Sequence, residues 1–217
     1  MDKKIIIQKT ADYAKKTLEK EGSGHDWWHV YRVWQTAKYI GRKEKADMFV
    51  VELGALLHDI ADFKFNGGDE SVGAKKAREW LEKLNVKERY IQKVTEIVGT
   101  VSFKGAKVKH EMRTLEGKIV FDADKLDALG AIGIARTFAY GGFKGVPIYD
   151  PKVKPILHKT FEEYKKRTPP TVTHFYEKLL LLKNLMHTKT AKQIALKRHA
   201  YMEEFLRKFY AEWEGKE

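Results

Sequence analysis

An all-α fold in a single compact domain is predicted by three observations. Apolar residues recur at helical spacing along nearly the whole chain, no convincing alternating strand appears, and glycine-rich breaks separate the periodic stretches. The 217 residues can bury a real hydrophobic core and suit one domain better than two. No internal repeat, low-complexity tract or interdomain linker is visible.

The first helix is expected from about Lys3 to Lys20, where the Gly22-Ser23-Gly24 turn stops it. A second covers roughly Asp26 to Arg42, with Val30, Val33, Trp34, Ala37 and Ile40 on its inner side. The third, from about Ala46 to Ile60, is apolar on most faces and so belongs at the centre. Gly67-Gly68 breaks the chain, and Asp69 or Ser71 can cap a helix reaching about Leu84. Another helix spans roughly Lys87 to Val98, followed by a loop around Ser102-Phe103-Lys104-Gly105. Thr114 to about Phe138 forms one long helix or two short ones interrupted near Gly130–Gly133. Tyr140 to Pro151 holds three glycines and two prolines and reads as an extended loop, as a connector rather than a lid. Three helices complete the chain, roughly Val153 to Lys166, Thr173 to His187 and Lys189 to Trp213. The last carries Ile194, Met202, Phe205 and Phe209 on one stripe.

Composition bounds the function. Hydrophobic residues are 43% and charged residues 33%, an ordinary globular balance. Apolar runs such as Leu179-Leu180-Leu181-Leu182 are too short to span a bilayer, and Ile5-Ile6-Ile7 is too short for a signal-peptide core. There are no cysteines, which removes disulfides, thiolate metal sites and a cysteine nucleophile and agrees with a cytoplasmic protein. The net charge of +12 favours polyanionic partners, but the basic residues are spread through the chain and interleaved with glutamates. Charge alone therefore decides little, and a Lys/Glu-rich solvated surface explains it as well.

The helical pattern makes four polar residues conspicuous. His29 shares the inner side of its helix with Val33 and Ala37. His58 and Asp59 end the most apolar helix, and Asp124 sits within Ile119-Val120-Phe121-Asp122-Ala123-Asp124-Lys125-Leu126. Each alone reads as a hydrogen-bonded core residue. Together, on separate apolar helices, they need one partner that offsets several kcal/mol of desolvation apiece, and a divalent cation would supply it. The mixed nitrogen and oxygen set suits Mn, Co, Ni, Fe or Mg, with Zn also compatible. Such an ion lowers the pKa of bound water and polarises a phosphoryl oxygen. Neighbours on a helix diverge by about 100°, so His58 and Asp59 reach one ion only near a helix end.

The order His29, His58-Asp59, Asp124 resembles the H…HD…D signature of the HD-domain metal-dependent phosphohydrolases. The surrounding stretches are closer still: Gly24-His25-Asp26-Trp27-Trp28-His29, Ala55-Leu56-Leu57-His58-Asp59-Ile60-Ala61-Asp62, and Asp122-Ala123-Asp124-Lys125-Leu126-Asp127-Ala128. These look like a bacterial and archaeal subgroup that includes nucleotide pyrophosphohydrolases. The resemblance implies a compact helical bundle of the HD type. It also implies one divalent metal held by His29, His58, Asp59 and Asp124. Asp122 is the rival for the last place, but it lies about 200° around the helix from Asp124, which occupies the motif position.

Asp62, four residues after His58, would share its face if that helix continued, and related HD nucleotidases use an acid there to take the water's proton. Asp69 and Glu70 are weaker candidates. Arg32, three residues after His29, resembles the family's substrate-binding arginine and suits bidentate phosphate recognition. Lys104, Lys125 and His25 are further substrate-binding candidates, His25 also through a hydrogen bond behind a ligand. Trp27 and Trp28 are expected to pack the core rather than stack a base.

The expected activity is hydrolysis of a nucleotide phosphate ester or anhydride by activated water, with nucleoside triphosphate pyrophosphohydrolysis first by resemblance. Nucleoside 5'-monophosphate phosphatase and cyclic-nucleotide phosphodiesterase are the alternatives. The expected partner is a small nucleotide or other phosphorylated substrate, with no membrane, and a homo-oligomer is compatible. A non-catalytic basic nucleic-acid-binding protein is the competing class, but it leaves the His/Asp set unexplained and has no recognisable motif. A degenerate HD fold kept as a sensing module is disfavoured, because every ligand is present.

Overall fold

Residue-by-residue packing follows the helical pattern closely. The computed structural model describes residues 1–19, 25–61, 71–101, 112–156 and 169–216. Every regular element among them is a helix. The chain divides into two compact units, one of residues 1–103 and 110–124, the other of 104–109 and 125–217.

The first unit holds α1 (Lys3–Leu18), α2 (Trp27–Lys43), α3 (Met48–Leu57), α4 (Ser71–Lys83), α5 (Glu88–Thr100) and most of α6 (Leu115–Asp127). Aspartates cap the first three helices: Asp2, Asp26 and Asp47 each accept a backbone N–H of the first turn. α3 is the centre of the unit and touches α1, α2 and α5. Eight of its ten residues are buried, which explains why its sequence is apolar all round. Ala11, Leu18, Val30 and Leu56 form a core cluster against which Ile7, Trp27 and Trp34 pack. Polar atoms at the rim find partners: Trp34 Nε1 donates to Glu52 at 2.9 Å, and Trp80 Nε1 to Thr10 Oγ1 at 3.0 Å.

The second unit holds α7 (Gly130–Phe143), α8 (Thr173–Glu177), a 3-10 segment (Leu179–Leu185) and α9 (Lys189–Trp213). Phe138, Phe175, Phe205 and Phe209 meet at its centre with ring centroids 5.8–6.4 Å apart.

Two boundaries differ from the sequence expectation, and one open alternative is decided. Of the one long or two short helices expected over Thr114–Phe138 the chain forms two, with α6 ending at Asp127 and α7 beginning at Gly130, whose φ of 75° suits glycine. α7 runs on to Phe143, so the glycine-rich stretch starting at Tyr140 is first helix and then loop. The expected Thr173–His187 helix breaks at Lys178 and continues as 3-10 helix, because Leu179 and Leu182 are buried three residues apart, which is that helix's repeat. Most of the expected Val153–Lys166 helix lies outside the described residues, and 153–156 carry no helix.

The join between α6 and α7 is sterically tight. A Cβ at Gly133 would stand 2.3 Å from the Ala128 carbonyl oxygen, whereas one at Gly142 meets nothing within 4 Å. Gly133→Ala should therefore destabilise the protein by about 1–3 kcal/mol, as overpacking against backbone does. Gly142→Ala should be neutral or gain up to about 1 kcal/mol from helix propensity. Urea unfolding of both variants beside the wild type checks the contrast.

Candidate metal centre

The site forms where the buried helix α3 stops. His58 caps it, and residues 58–61 make a turn. That termination resolves the angular problem of adjacent ligands: off the helix, His58 and Asp59 turn toward the same point. The third contributor comes from α2, where His29 is 1% exposed on the inner face beside Val30 and Val33. The fourth is Asp124, near the end of α6.

Three contacts set the register of α6 against α3. The backbone N–H of Asp47, at the start of α3, donates to Glu116 of α6 at 3.0 Å. Midway, Gly54 has no side chain, so Val120 approaches to within 3.3 Å of where a Cβ would stand. Four residues further along each chain, His58 meets Asp124, with Nε2 and Oδ1 3.9 Å apart. One helical turn on each strand thus connects the glycine contact to the cluster.

The cluster is compact. His58 Nε2 lies 3.3 Å from His29 Nε2 and 3.3 Å from Asp59 Oδ2. His29 Nε2 lies 3.3 Å from Asp59 Oδ2 and 3.4 Å from Asp124 Oδ1. His58 Nδ1–H donates to the Ala55 carbonyl at 2.8 Å, so in the neutral ring the Nε2 lone pair points into the cluster. Behind Asp59, His25 Nδ1–H donates to the same Oδ2 at 2.6 Å. His25 is thus brought to the site as a partner of Asp59, and its ring also meets His29 edge-on at 5.4 Å.

Electrostatics follow from this packing. Burial pulls His58 toward neutrality, but the charges of Asp59 and Asp124 and the hydrogen bond to Asp59 outweigh it and leave its pKa raised. Burial also works against an ionised Asp59, yet His58 and His25, with hydrogen bonds from His25 and His29, hold it well below the usual carboxylate range. The protein therefore places an anionic carboxylate and two imidazoles around one point and must supply positive charge there. The donor set fits a divalent ion: the two imidazole nitrogens lie 3.3–3.9 Å from each other and from the Asp59 and Asp124 oxygens, which matches neighbouring ligands around a cation with bonds of about 2.0–2.2 Å. Two overlapping groups of candidate ligands have atoms within 4.8 Å of one another, His29/His58/Asp124 and His25/His29/Asp59. They share the single Nε2 lone pair of His29, so they describe one ion position rather than two.

Among the other residues singled out from sequence, Asp122 is 0% exposed on α6, but the converging oxygen is that of Asp124. Arg32 is half-buried one turn along α2 from His29. Lys125 is buried rather than displayed at a surface. Asp62, Lys104, Asp69 and Glu70 lie outside the described residues. The helical spacing that suggested Asp62 does not apply, because α3 ends at Leu57. Trp27 packs on the core as expected, but Trp28 does not: it is 59% exposed. The pattern held the signal, since at about 100° per residue Trp28 points about 150° from the centre of the apolar face of α2.

The chain resembles known proteins along nearly its whole length. The family model described as the HD domain matches residues 27–129. The Bacillus subtilis protein YpgQ is 38% identical over 196 residues, covering 90% of this chain and 87% of that protein. A crystal structure of an HD-superfamily hydrolase from Bacillus thuringiensis superposes with a TM-score of 0.79 and 45% identity, over 98% of this chain and 99% of that one. A crystal structure of Bacillus subtilis YpgQ in complex with ADP superposes with a TM-score of 0.75 and 32% identity, over 97% of this chain and 100% of that one.

If Asp124 supplies the fourth ligand, Asp124→Ala should emerge from purification without bound metal while Asp122→Ala keeps it. Metal analysis of the two folded variants decides, and the reverse outcome would transfer the role to Asp122.

Proposed function

The chain belongs to the HD domain superfamily of hydrolases, a family of metal-dependent phosphohydrolases, and from that premise we propose that it hydrolyses nucleoside triphosphates to monophosphate and pyrophosphate. The observation that carries this reading is the convergence of His29, His58, Asp59 and Asp124, in a chain similar along nearly its whole length to a protein crystallised with ADP. In the proposed site these four side chains hold one divalent ion, which supplies charge neutralisation and an activated water.

The chain's own residues do the rest. His25 fixes the orientation of Asp59 through the 2.6 Å hydrogen bond, as partners behind metal ligands commonly do. Asp62 accepts the proton of the attacking water. Arg32, one turn from His29, meets the phosphate chain with its planar guanidinium, and Lys104 and Lys125 are further candidates for binding substrate phosphate. Water oxygen adds to the α-phosphorus, the bond to the oxygen bridging toward the β-phosphorus breaks, and pyrophosphate leaves. The small-nucleotide substrate also accounts for a basic chain without a nucleic-acid-binding motif. Among the described residues no helix is long and apolar enough to cross a membrane.

Metal-stripped protein, incubated with nucleoside triphosphates and Mn, Co, Ni, Mg or Zn in turn, should release pyrophosphate and monophosphate identified by mass. Inorganic phosphate as the sole small product would make it a phosphatase instead, and no product with any metal would remove the catalytic reading. In the same assay Asp62→Asn should retain its metal and lose at least about a hundredfold in turnover, the usual scale of a general base.

A further inference from the structure

Four aromatic rings line the first two turns of α2. Trp34 is anchored, packed on the core cluster and hydrogen-bonded to Glu52. Tyr31 meets Trp34 edge-on at 6.3 Å, and meets Trp27 and Trp28 each at 6.0 Å. Trp27 is half-buried on the core. Trp28 ends the series with 59% of its surface in water, although it is the residue beside the buried His29. Tyr31 meets the indole edge-on at an interplanar angle of 79°. A large apolar ring open to solvent on one side offers a face on which a flat ligand can stack.

Its position relative to the metal centre identifies what would stack. On a helix, residues three and four apart are neighbours, with Cβ atoms about 5–6 Å apart. His29 and Arg32 are one such pair, and Arg32 and Trp28 are the next. Passing around the first turns of α2, the helix therefore carries the buried imidazole of the centre, then a half-buried guanidinium, then an exposed indole. In a nucleotide attacked at the α-phosphorus, the reacting phosphate is joined directly to the sugar and the sugar to the base, while the β- and γ-phosphates lie on the other side, so the sugar and base are what extend past Arg32 toward Trp28.

We propose that Trp28 is a specificity-determining residue that stacks on the nucleobase of the substrate, so that the protein selects nucleotides over phosphates that lack a base. This rests on the nucleotide reading given above. Base–aromatic stacking is tolerant of base identity, so the selection is for a nucleobase as a class.

The test compares the metal-loaded wild type with Trp28→Ala and Trp28→Phe, all shown to be folded by circular dichroism. KM is measured for a nucleoside triphosphate, and inorganic tripolyphosphate is titrated as a competitive inhibitor carrying the same phosphate chain without a base. Trp28→Ala should raise KM about tenfold or more, the usual scale for loss of one stacked base, and leave the tripolyphosphate inhibition constant unchanged. Trp28→Phe should recover most of the loss. Equal weakening of both ligands would overturn the proposal by making Trp28 a support of the site as a whole. An unchanged KM in Trp28→Ala would overturn it while leaving nucleotide hydrolysis standing. A wild type that turns over no nucleotide under any metal would defeat the parent reading, and the role of Trp28 with it.

Discussion

Everything at the candidate centre depends on where a largely buried helix ends. α3 is surrounded by α1, α2 and α5, so a charged side chain on its buried faces would be stranded without water, and Glu52 stands on its half-buried side, where Trp34 donates to it. The other ionisable groups follow its last turn, where the chain leaves the helix and His58 and Asp59 can face one point. Even there they are poorly solvated, and the imidazole of His29 arrives from α2 with almost no exposure. The cluster is stable only if its charges answer one another. In the protein alone the charges of Asp59 and Asp124 answer this by favouring a proton on His58, whose pKa they raise against the pull of burial. A divalent ion does it better, because one cation satisfies two nitrogen lone pairs and two carboxylates at once without adding repulsion between imidazoles 3.3 Å apart.

Position is then a matter of helix register. α6 is tied to the start of α3 through Asp47 and Glu116, drawn close at Gly54, and delivers Asp124 one turn later. The lack of a side chain at Gly54 is thus as much a part of the cluster as the four converging side chains are. At the far end of α6, within the second unit, Arg136 pairs with the buried Asp127 at 2.6 Å and Arg198 donates to the Leu126 carbonyl. Both arginines meet carbonyl or carboxylate groups at a helix C-terminus, where positive charge is favoured.

The parts of this protein that were legible in its sequence are those the core constrains. The inner faces of α1, α2 and α9 follow the helical repeat, and His29, His58, Asp59 and Asp124 stood out because ionisable residues in apolar helices are rare. Motif resemblance then ordered them. The misread parts are those where periodicity is silent. Leu179 to Leu185 repeat at a spacing that serves both α and 3-10 helix, and only packing chose between them. The true end of α3 was three residues earlier than Ile60, because turn residues after a buried helix are as apolar as the helix itself. Trp28 was misplaced by composition: tryptophan suggests a core, while its angle on α2 already pointed outward.

That error bears on how substrate choice is written into such a chain. Residues that handle phosphate and metal are forced inward, where desolvation punishes a wrong partner by several kcal/mol and the fold must be built around them. Residues that meet the base can sit on the outer face of α2, where a substitution costs little stability because most of the side chain stands in water. Leaving-group chemistry and base recognition therefore answer to different physical constraints on the same helix. His29 cannot change without dismantling the centre, whereas the exposed ring one residue earlier can be exchanged with the core intact. On the proposed reading, α2 joins the two: a fixed inner face that supplies the reaction and an adaptable outer one that selects what undergoes it.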